Sequence, residues 1–502
     1  MLFVKCSLIN FNIDIENDLT NIKCCKESII LFIQILKYLF DSYIFMIHKF
    51  VDRKLELEFL EKRYRSNEAE MIVIYGHRRI GKTEIIKNFL KNKESVYILC
   101  TKDSIKENLE EFKRKFYKLT GKRYFLDLKT ESFYDLFSYF VDEMGDKRFV
   151  LALDEFPYLI ELDKGIASTF QKIWDELLSK TKIFLIICGS SIGLMETEVI
   201  GYKSPLYGRR TGEWRVTPLR FRYINEFFPS YDKESLVKVW CILGGTPFYL
   251  KQFDPNLDVD TNIKEKILTK GQILYNEPRV IMREEFREPR VYINVLKHIS
   301  LGYTSIGKLS SATGLDKGNI SKYLSVLEEN DIVEHILPLG KRKRGIHIIS
   351  DPYFNFWFRF VYPNLSELEI GNIEEVFSII SQEINTYYGM MFERLVFEIL
   401  SNHELRIPIN IQRVHKWWHK DREIDVIAVN YSNREIAFFE VKWKSLEYSE
   451  ALKILKQLKE TSQHVKWYNE SRKEYYGIFS KSIKKKTILR SEGYIVFDLG
   501  DL

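Results

Sequence analysis

The chain lacks paired cysteines. Its six (Cys6, Cys24, Cys25, Cys100, Cys188 and Cys241) form no CxxC and no metal-ligand spacing with histidine. Scattered thiols in a long chain fit a reduced, cytoplasmic setting. His415 and His419 in "HKWWHK" have no third ligand nearby and read as strand or surface residues. The chain also lacks a strong excess of charge of one sign. A net charge of +6 over 502 residues is too small to argue nucleic-acid binding by itself, so local clusters must carry that case. No basic segment opens the chain, which argues against a secretory signal. One long apolar run exists, "IILFIQILKYLFDSYIFMI" (29–47), but Lys37 and Asp41 interrupt it. Each would cost about 3 kcal/mol at a bilayer centre. The expectation is no stable membrane insertion. Residues 1–45 are then an amphipathic accessory segment or a lead ahead of a start at Met46. With 45% hydrophobic and 29% charged residues, wholesale disorder is excluded, and the length allows several domains.

What is present is sharper. Met71 to Tyr75 reads as a buried parallel strand. It runs into Gly76-His77-Arg78-Arg79-Ile80-Gly81-Lys82-Thr83, a full GxxxxGK(S/T) phosphate loop, and then a helix carrying Ile85, Ile86, Phe89 and Leu90. The glycines turn backbone N–H groups inward around a β-phosphate, and the helix N-terminus adds positive potential. Lys82 is expected on the β- and γ-phosphates, and Thr83 on Mg2+. A second strand, "RFVLALDEF" (148–156), ends in Asp154, expected in the Mg2+ shell, and Glu155, expected to polarise the attacking water. A third, "KIFLIICGSS" (182–191), ends in Ser190 and Ser191, which serve as a γ-phosphate sensor or as helix caps. Ligands bind at the carboxyl ends of strands in such sheets, so the three motifs converge. Arg209 and Arg210 in "SPLYGRRTGEW" (204–214) are either transition-state arginines, in cis or across a subunit boundary, or a solvated turn.

Together with "FVDRKLELEFL" (50–60) and "LGGTPFYL" (243–250), these motifs resemble the archaeal ATPase family, a branch of the AAA-related signal-transduction ATPases with numerous domains. The resemblance covers nearly all of the chain from Phe50 onward. It implies a start at Met46, Arg53 of the Val51-Asp52-Arg53 segment near the adenine, and a nucleotide-sensing Gly245-Thr246-Pro247 in a helical lid.

Residues 291–350 read as a winged helix-turn-helix. A turn at Gly314 precedes a helix opened by Asp316, with Ile320, Tyr323, Leu324 and Leu327 on one face. A hairpin follows, with Lys341, Arg342, Lys343 and Arg344 at its tip. On DNA, Lys317, Asn319, Ser321 and Lys322 would face the major groove and the hairpin cations would meet phosphates. The plainer reading is a domain packed on the ATPase with a solvated basic tip. The aromatic stretch "DPYFNFWFRFVYPN" (351–364) reads as inter-domain packing.

In "FFEVKWKS" (438–445), strand alternation places Glu440 and Lys442 on one face. The preceding strand, "REIDVIAVN" (422–430), is apolar on both faces yet holds Asp425, and a helix over 387–400 carries Glu393. Asp425 and Glu440, completed by Glu393, suit Mg2+ or Mn2+ beside a scissile phosphate, with Lys442 positioning the water. This is the Glu…Asp…Glu-x-Lys pattern of the PD-(D/E)xK nuclease fold, with Gln457 on the next helix as an accessory. Archaeal ATPases of this type carry a C-terminal domain that resembles such nucleases. No proline precedes Asp425 here.

The expected fold is α/β: a P-loop NTPase core (46–225) with parallel sheet and helical lid (226–290), a winged helix (291–350), an aromatic linker (351–385) and a restriction-endonuclease-like domain (386–502). The expected function is ATP hydrolysis coupled to a metal-dependent nuclease acting on DNA, with ATP, Mg2+ or Mn2+ and DNA as ligands and a homo-oligomer left open. The alternative is an ATP-dependent signalling switch whose last domain only binds.

Overall fold

The computed structural model describes residues 50–343 and 345–502. The apolar run 29–47, Met46, Cys6, Cys24, Cys25 and Arg344 lie outside the described residues. Asp52–Leu502 forms one compact unit. No described helix is long and apolar enough to cross a membrane.

Helix α1 (Lys54–Tyr64) leads into β1 (Glu70–Tyr75), the phosphate loop and α2 (Lys82–Leu90). Strands β2 (Ser95–Leu99), β3 (Phe149–Asp154), β4 (Ile183–Gly189) and β5 (Gly212–Arg215) complete a parallel sheet in the order β2-β3-β4-β1-β5. Every residue of β1, β3 and β4 is buried, as continuous apolar runs require in a sheet covered on both faces. Helices α3 (Ile105–Thr120), α4 (Phe133–Met144) and α5 (Ile166–Glu176) share one core with it, built around Phe112, Phe116, Phe137, Phe140 and Phe170. Ser104 and Ser132 cap α3 and α4 by accepting from the backbone N–H of Glu107 and Asp135.

The segment expected as the lid, 226–290, contains α6 (Lys233–Leu243) and α7 (Ile273–Glu285). Next come α8 (Pro289–Ser300), α9 (Ile306–Thr313) and α10 (Lys317–Glu329). Gly314, at φ 75°, ends α9, and the Asp316 carboxylate caps α10 by accepting from the N–H groups of Gly318 and Asn319. Strands β6 (Val333–Ile336) and β7 (Ile346–Ile349) form an antiparallel hairpin. The aromatic stretch is buried against the lid: the Trp357 indole donates to the Tyr275 carbonyl at 2.9 Å, and the Tyr353 hydroxyl donates to that of Leu274.

Helix α11 (Ile373–Ser401) runs unbroken through the boundary expected at 385/386. Val376, Ile380, Ile384, Tyr387, Met391 and Leu395 form one apolar stripe at helical spacing, so nothing stops the helix there. A mixed sheet follows in the order β12-β11-β10-β9-β8. Strands β8 (Arg413–His419), β9 (Arg422–Asn430) and β10 (Glu435–Leu446) make an antiparallel meander. After α12 (Tyr448–Ser462), β11 (Lys473–Ile483) and β12 (Ile495–Asp498) add in parallel. Along β10 the faces alternate: Trp443 meets Phe392 of α11, whereas Phe438 joins Leu458 of α12 in the core. Leu339, from the β6–β7 hairpin, is buried in that same core beside Trp417, Ile424 and Trp467. Its N–H donates to the Lys416 carbonyl of β8 at 2.9 Å.

Candidate functional site

Two glycines at positive φ shape the phosphate loop. Gly76 sits at φ 147°, and a β-carbon there would overlap the Val216 carbonyl oxygen. Gly81, at φ 93°, turns the chain into α2. Lys82 is buried, and its ammonium donates to the carbonyls of Gly76 (2.9 Å) and His77 (2.7 Å); burial lowers its pKa. At the ends of β3 and β4 the expected partners meet. The Thr83 hydroxyl donates to Asp154 Oδ2 at 2.7 Å, and so does that of Tyr97, also at 2.7 Å. Glu155, held at φ 54°, accepts from the Ser190 hydroxyl (2.8 Å) and N–H (3.1 Å). Ser190 thus bonds the expected water-polarising carboxylate, and Ser191, at the cap position, makes no side-chain cap bond.

The variable loop positions face the lid. Arg78 pairs with Glu285 (2.6 Å) and Glu284 (3.0 Å) of α7 and donates to the Tyr158 hydroxyl. Arg79 pairs with Glu277 (2.7 Å) of α7 and lies over the Phe248 ring. His77 lies 3.7 Å from Asp331, just past α10, which also pairs with Arg215. Burial, then Arg215 and Lys82, pushes the His77 imidazole down to about 4. Buried Arg53 donates to the carbonyls of Ile80 (2.9 Å) and Thr217 (2.8 Å), both of which line a cavity of 470 Å³. Gly245 and Thr246 line that cavity too, while Pro247 begins the next helix outside the lining. Arg209 and Arg210 are not brought to this cluster. Arg209 pairs with Asp175 at 3.0 Å, Arg210 with Glu213 at 2.6 Å.

A second cluster lies where β9 and β10 part. Their ladder pairs Phe439 with Val426 and goes no further. Beyond it, Asp425 Oδ2 accepts from the Val441 N–H at 2.8 Å, a side chain standing in for a ladder carbonyl. The Lys442 ammonium bridges Asp425 Oδ2 (3.1 Å) and Glu440 Oε2 (2.6 Å). Burial and the nearby Asp425 push the Glu440 carboxyl up to about 7, against the pull of Lys442. Burial alone would lower Lys442, yet Asp425 and Glu440 hold it above its usual value. Glu393 is raised by burial and pairs with Lys416 at 3.0 Å, so it does not share Lys442 with the other acids. Among the described residues the one set of three metal-ligand side chains with atoms within 4.8 Å is Glu328, His335 and His347, not these three acids. The oxygen donors of Asp425 and Glu440 converging on one cation suit a hard divalent ion such as Mg2+ or Mn2+. A cavity of 510 Å³ opens over Glu440 and Lys442, with Gln457, Arg422, Thr461 and His464 in its lining.

Sequence reading missed Tyr97, the lid acids Glu277, Glu284 and Glu285, and the cavity residues Arg422 and His464. The adjacent acids of "REE" were the only local signal. Lys317, Asn319, Ser321 and Lys322 are exposed along α10, as are Lys341, Arg342 and Lys343 at the hairpin tip. His415 Nε2 lies 3.0 Å from the Tyr431 hydroxyl, and Cys100, Cys188 and Cys241 are free and buried.

The parallel sheet, phosphate loop and acid-ended strand define a P-loop ATPase domain. Residues 50–253 match the ATPase domain predominantly from Archaea, and residues 357–454 match a family described as archaea bacterial proteins of unknown function. An uncharacterized protein of Methanocaldococcus jannaschii is 35% identical over 459 residues, covering 90% of this chain and 99% of that protein. An uncharacterized ATP-binding protein of the same organism is 58% identical over 45 residues, 9% of this chain and 76% of its own length. The Walker-type ATPase of Pyrococcus abyssi superposes with a TM-score of 0.48 at 21% identity, covering 62% of this chain and 96% of that one. The chain belongs to the archaeal ATPase family. Membership implies use of a nucleotide and a divalent cation.

Proposed function

We propose that the chain is an ATP hydrolase whose nucleotide state governs a C-terminal, metal-dependent nuclease acting on DNA. The observation that carries the nuclease half is the meeting of Asp425, Glu440 and Lys442 at the parted ends of β9 and β10, under an open cavity. The order α11, β8, β9, β10, α12, β11, with β11 parallel to β10, supports the PD-(D/E)xK reading. Three helices ending in α10, followed by the β6–β7 hairpin with its exposed cations, support a winged helix that holds DNA.

In the ATPase domain, bound ATP and Mg2+ supply the phosphoanhydride and the charge neutralisation. Lys82, now on two loop carbonyls, would take phosphate oxygens instead, and Thr83 with Asp154 would hold the cation. Glu155 orients water once Ser190 releases it or passes with it to the γ-phosphate. Arg78 and Arg79 transmit the state of the loop, because both are ion-paired to α7 of the lid. In the last domain, Asp425 and Glu440 would hold Mg2+ or Mn2+, which would supply Lewis-acid activation, and Lys442 would position water and stabilise charge on the phosphate.

The bridge itself favours a second reading. Lys442 already bridges both acids, as it would in a domain that only binds while the ATPase acts as a switch. The test is incubation with linear and branched DNA and Mn2+, with and without ATP, for wild type, Asp425→Ala and Lys82→Ala. Cleavage lost in Asp425→Ala supports the nuclease, and ATP-dependence lost in Lys82→Ala supports the coupling. No cleavage from protein that hydrolyses ATP supports the switch.

A further inference from the structure

His335 and His347 occupy directly opposed positions on β6 and β7, and Glu328 lies in the last turn of α10. One ligand atom from each comes within 4.8 Å of the others. The buried ring of His347 is held from both sides. Its Nδ1 lies 3.3 Å from the Thr304 carbonyl, and its Nε2 lies 3.2 Å from Glu328 Oε1. A carbonyl only accepts, so Nδ1 carries the ring proton of the neutral tautomer. The Nε2 lone pair then faces a carboxylate oxygen, two acceptors with nothing between them. A cation resolves that contact: a second ring proton or a metal ion. His335 closes the group from the solvent side, its ring parallel to that of His347 with centroids 4.5 Å apart. Gly345 makes room for it, since a β-carbon there would collide with the His335 ring.

We propose that Glu328, His335 and His347 form a site for a divalent transition-metal ion of the zinc class, which clamps the end of α10 to both strands of the hairpin. Two imidazoles and one carboxylate are the donor set that zinc takes with one position left for water, whereas Mg2+ and Ca2+ prefer oxygen alone. The Thr304 carbonyl is the outer partner that fixes the tautomer of a histidine ligand. Parallel rings cannot both aim at one ion, so exposed His335 turns about its side-chain torsions. The ligand atoms then close to about 3.3 Å apart, the separation that tetrahedral bonds of this kind require. The clamp fixes the hairpin whose far end carries Leu339 and the cations Lys341 to Lys343. It is independent of any chemistry at Asp425.

The experiment is titration of the full chain with Co2+, read by its visible d–d absorption, followed by displacement with Zn2+. Wild type is compared with His335→Ala, Glu328→Gln and, to break the C-terminal acid pair, Asp425→Asn. The expected result is one equivalent with tetrahedral bands in wild type and Asp425→Asn. His335→Ala and Glu328→Gln should each weaken it by more than about tenfold. ATP binding retained by His335→Ala, an exposed position, shows that the variant is folded. Absence of the bands in wild type, equal affinity in His335→Ala, or loss only in Asp425→Asn overturns the proposal and leaves a proton between His347 and Glu328.

Discussion

Gly76 shows how a single residue carries the ATPase site. Its φ of 147° excludes most side chains, and a β-carbon would drive into the Val216 carbonyl at the end of β5. That carbonyl belongs to backbone and cannot swing aside. Gly76→Ala should therefore cost at least about 2 kcal/mol of stability and abolish nucleotide binding. Denaturant melts alongside fluorescent ATP titration check both. Lys82 acts differently, since it makes two hydrogen bonds to its own loop and is already folded inward. Lys82→Ala leaves the loop's backbone path intact and should lower ATP hydrolysis by at least about 100-fold, measured as phosphate release. The contrast distinguishes a residue needed for the path of the chain from one needed for charge. Both roles were legible, because the GxxxxGK(S/T) spacing requires small residues and an ammonium within eight consecutive positions. The acid–lysine pattern of "EVK" was equally legible as two charges on one strand face. What alternation could not give was the partner of each charge. Glu393 faces Lys416, and Lys442 takes both Asp425 and Glu440.

At the scale of elements, the β6–β7 hairpin is the informative case. Its strands and basic tip are readable from apolar runs around Gly340 and Gly345, but its docking is not. Leu339 enters the core of the C-terminal sheet and pairs its N–H with β8, more than seventy residues along the chain. Leu339→Ala removes a buried side chain at this joint and should cost about 2–4 kcal/mol. Hydrogen exchange should quicken at Lys341 to Lys343 and at β8 together, while β1 and β4 keep their protection. Exchange that quickens at the hairpin alone would mean the two elements are not coupled. The 29-residue α11 makes a similar point: its apolar stripe continues from Val376 to Leu400, so one rigid element spans what composition divides into a linker and a domain.

For the whole molecule, the phosphate loop, lid, helices α8–α10 and C-terminal sheet are joined by ion pairs across long sequence separations. Arg78 meets Glu285, Arg79 meets Glu277, Arg215 meets Asp331, and Lys481 of β11 meets Glu234 of α6. Near this junction Glu398 of α11 is pushed by burial up to about 7, with Arg394 and Arg220 opposing and Glu404 adding to the shift. The sign follows from proton counting. Between about 4.5 and 7 the folded protein retains a proton that the unfolded chain has released, so stability falls as pH rises through that window. Glu398→Gln cannot titrate and should flatten this part of the profile. Urea midpoints for both proteins at pH 5, 6 and 7.5 measure it, and parallel slopes would assign the pH dependence to other groups.

The sequence alone determined strands β1, β3, β4, β9 and β10, the phosphate loop, the acids that end β3 and the residue types at the parted ends of β9 and β10. These rest on local rules: side-chain periodicity, the conformational freedom of glycine, and spacing within one loop or strand. Only the tertiary structure decided which charges pair, where Arg209 and Arg210 turn, that Leu339 joins a distant core, and that His335, His347 and Glu328 meet. Electrostatic partners depend on distance in space, and an arginine offers the same charge to any carboxylate the fold brings within about 4 Å. Periodicity says which face a residue occupies; packing alone says what that face meets.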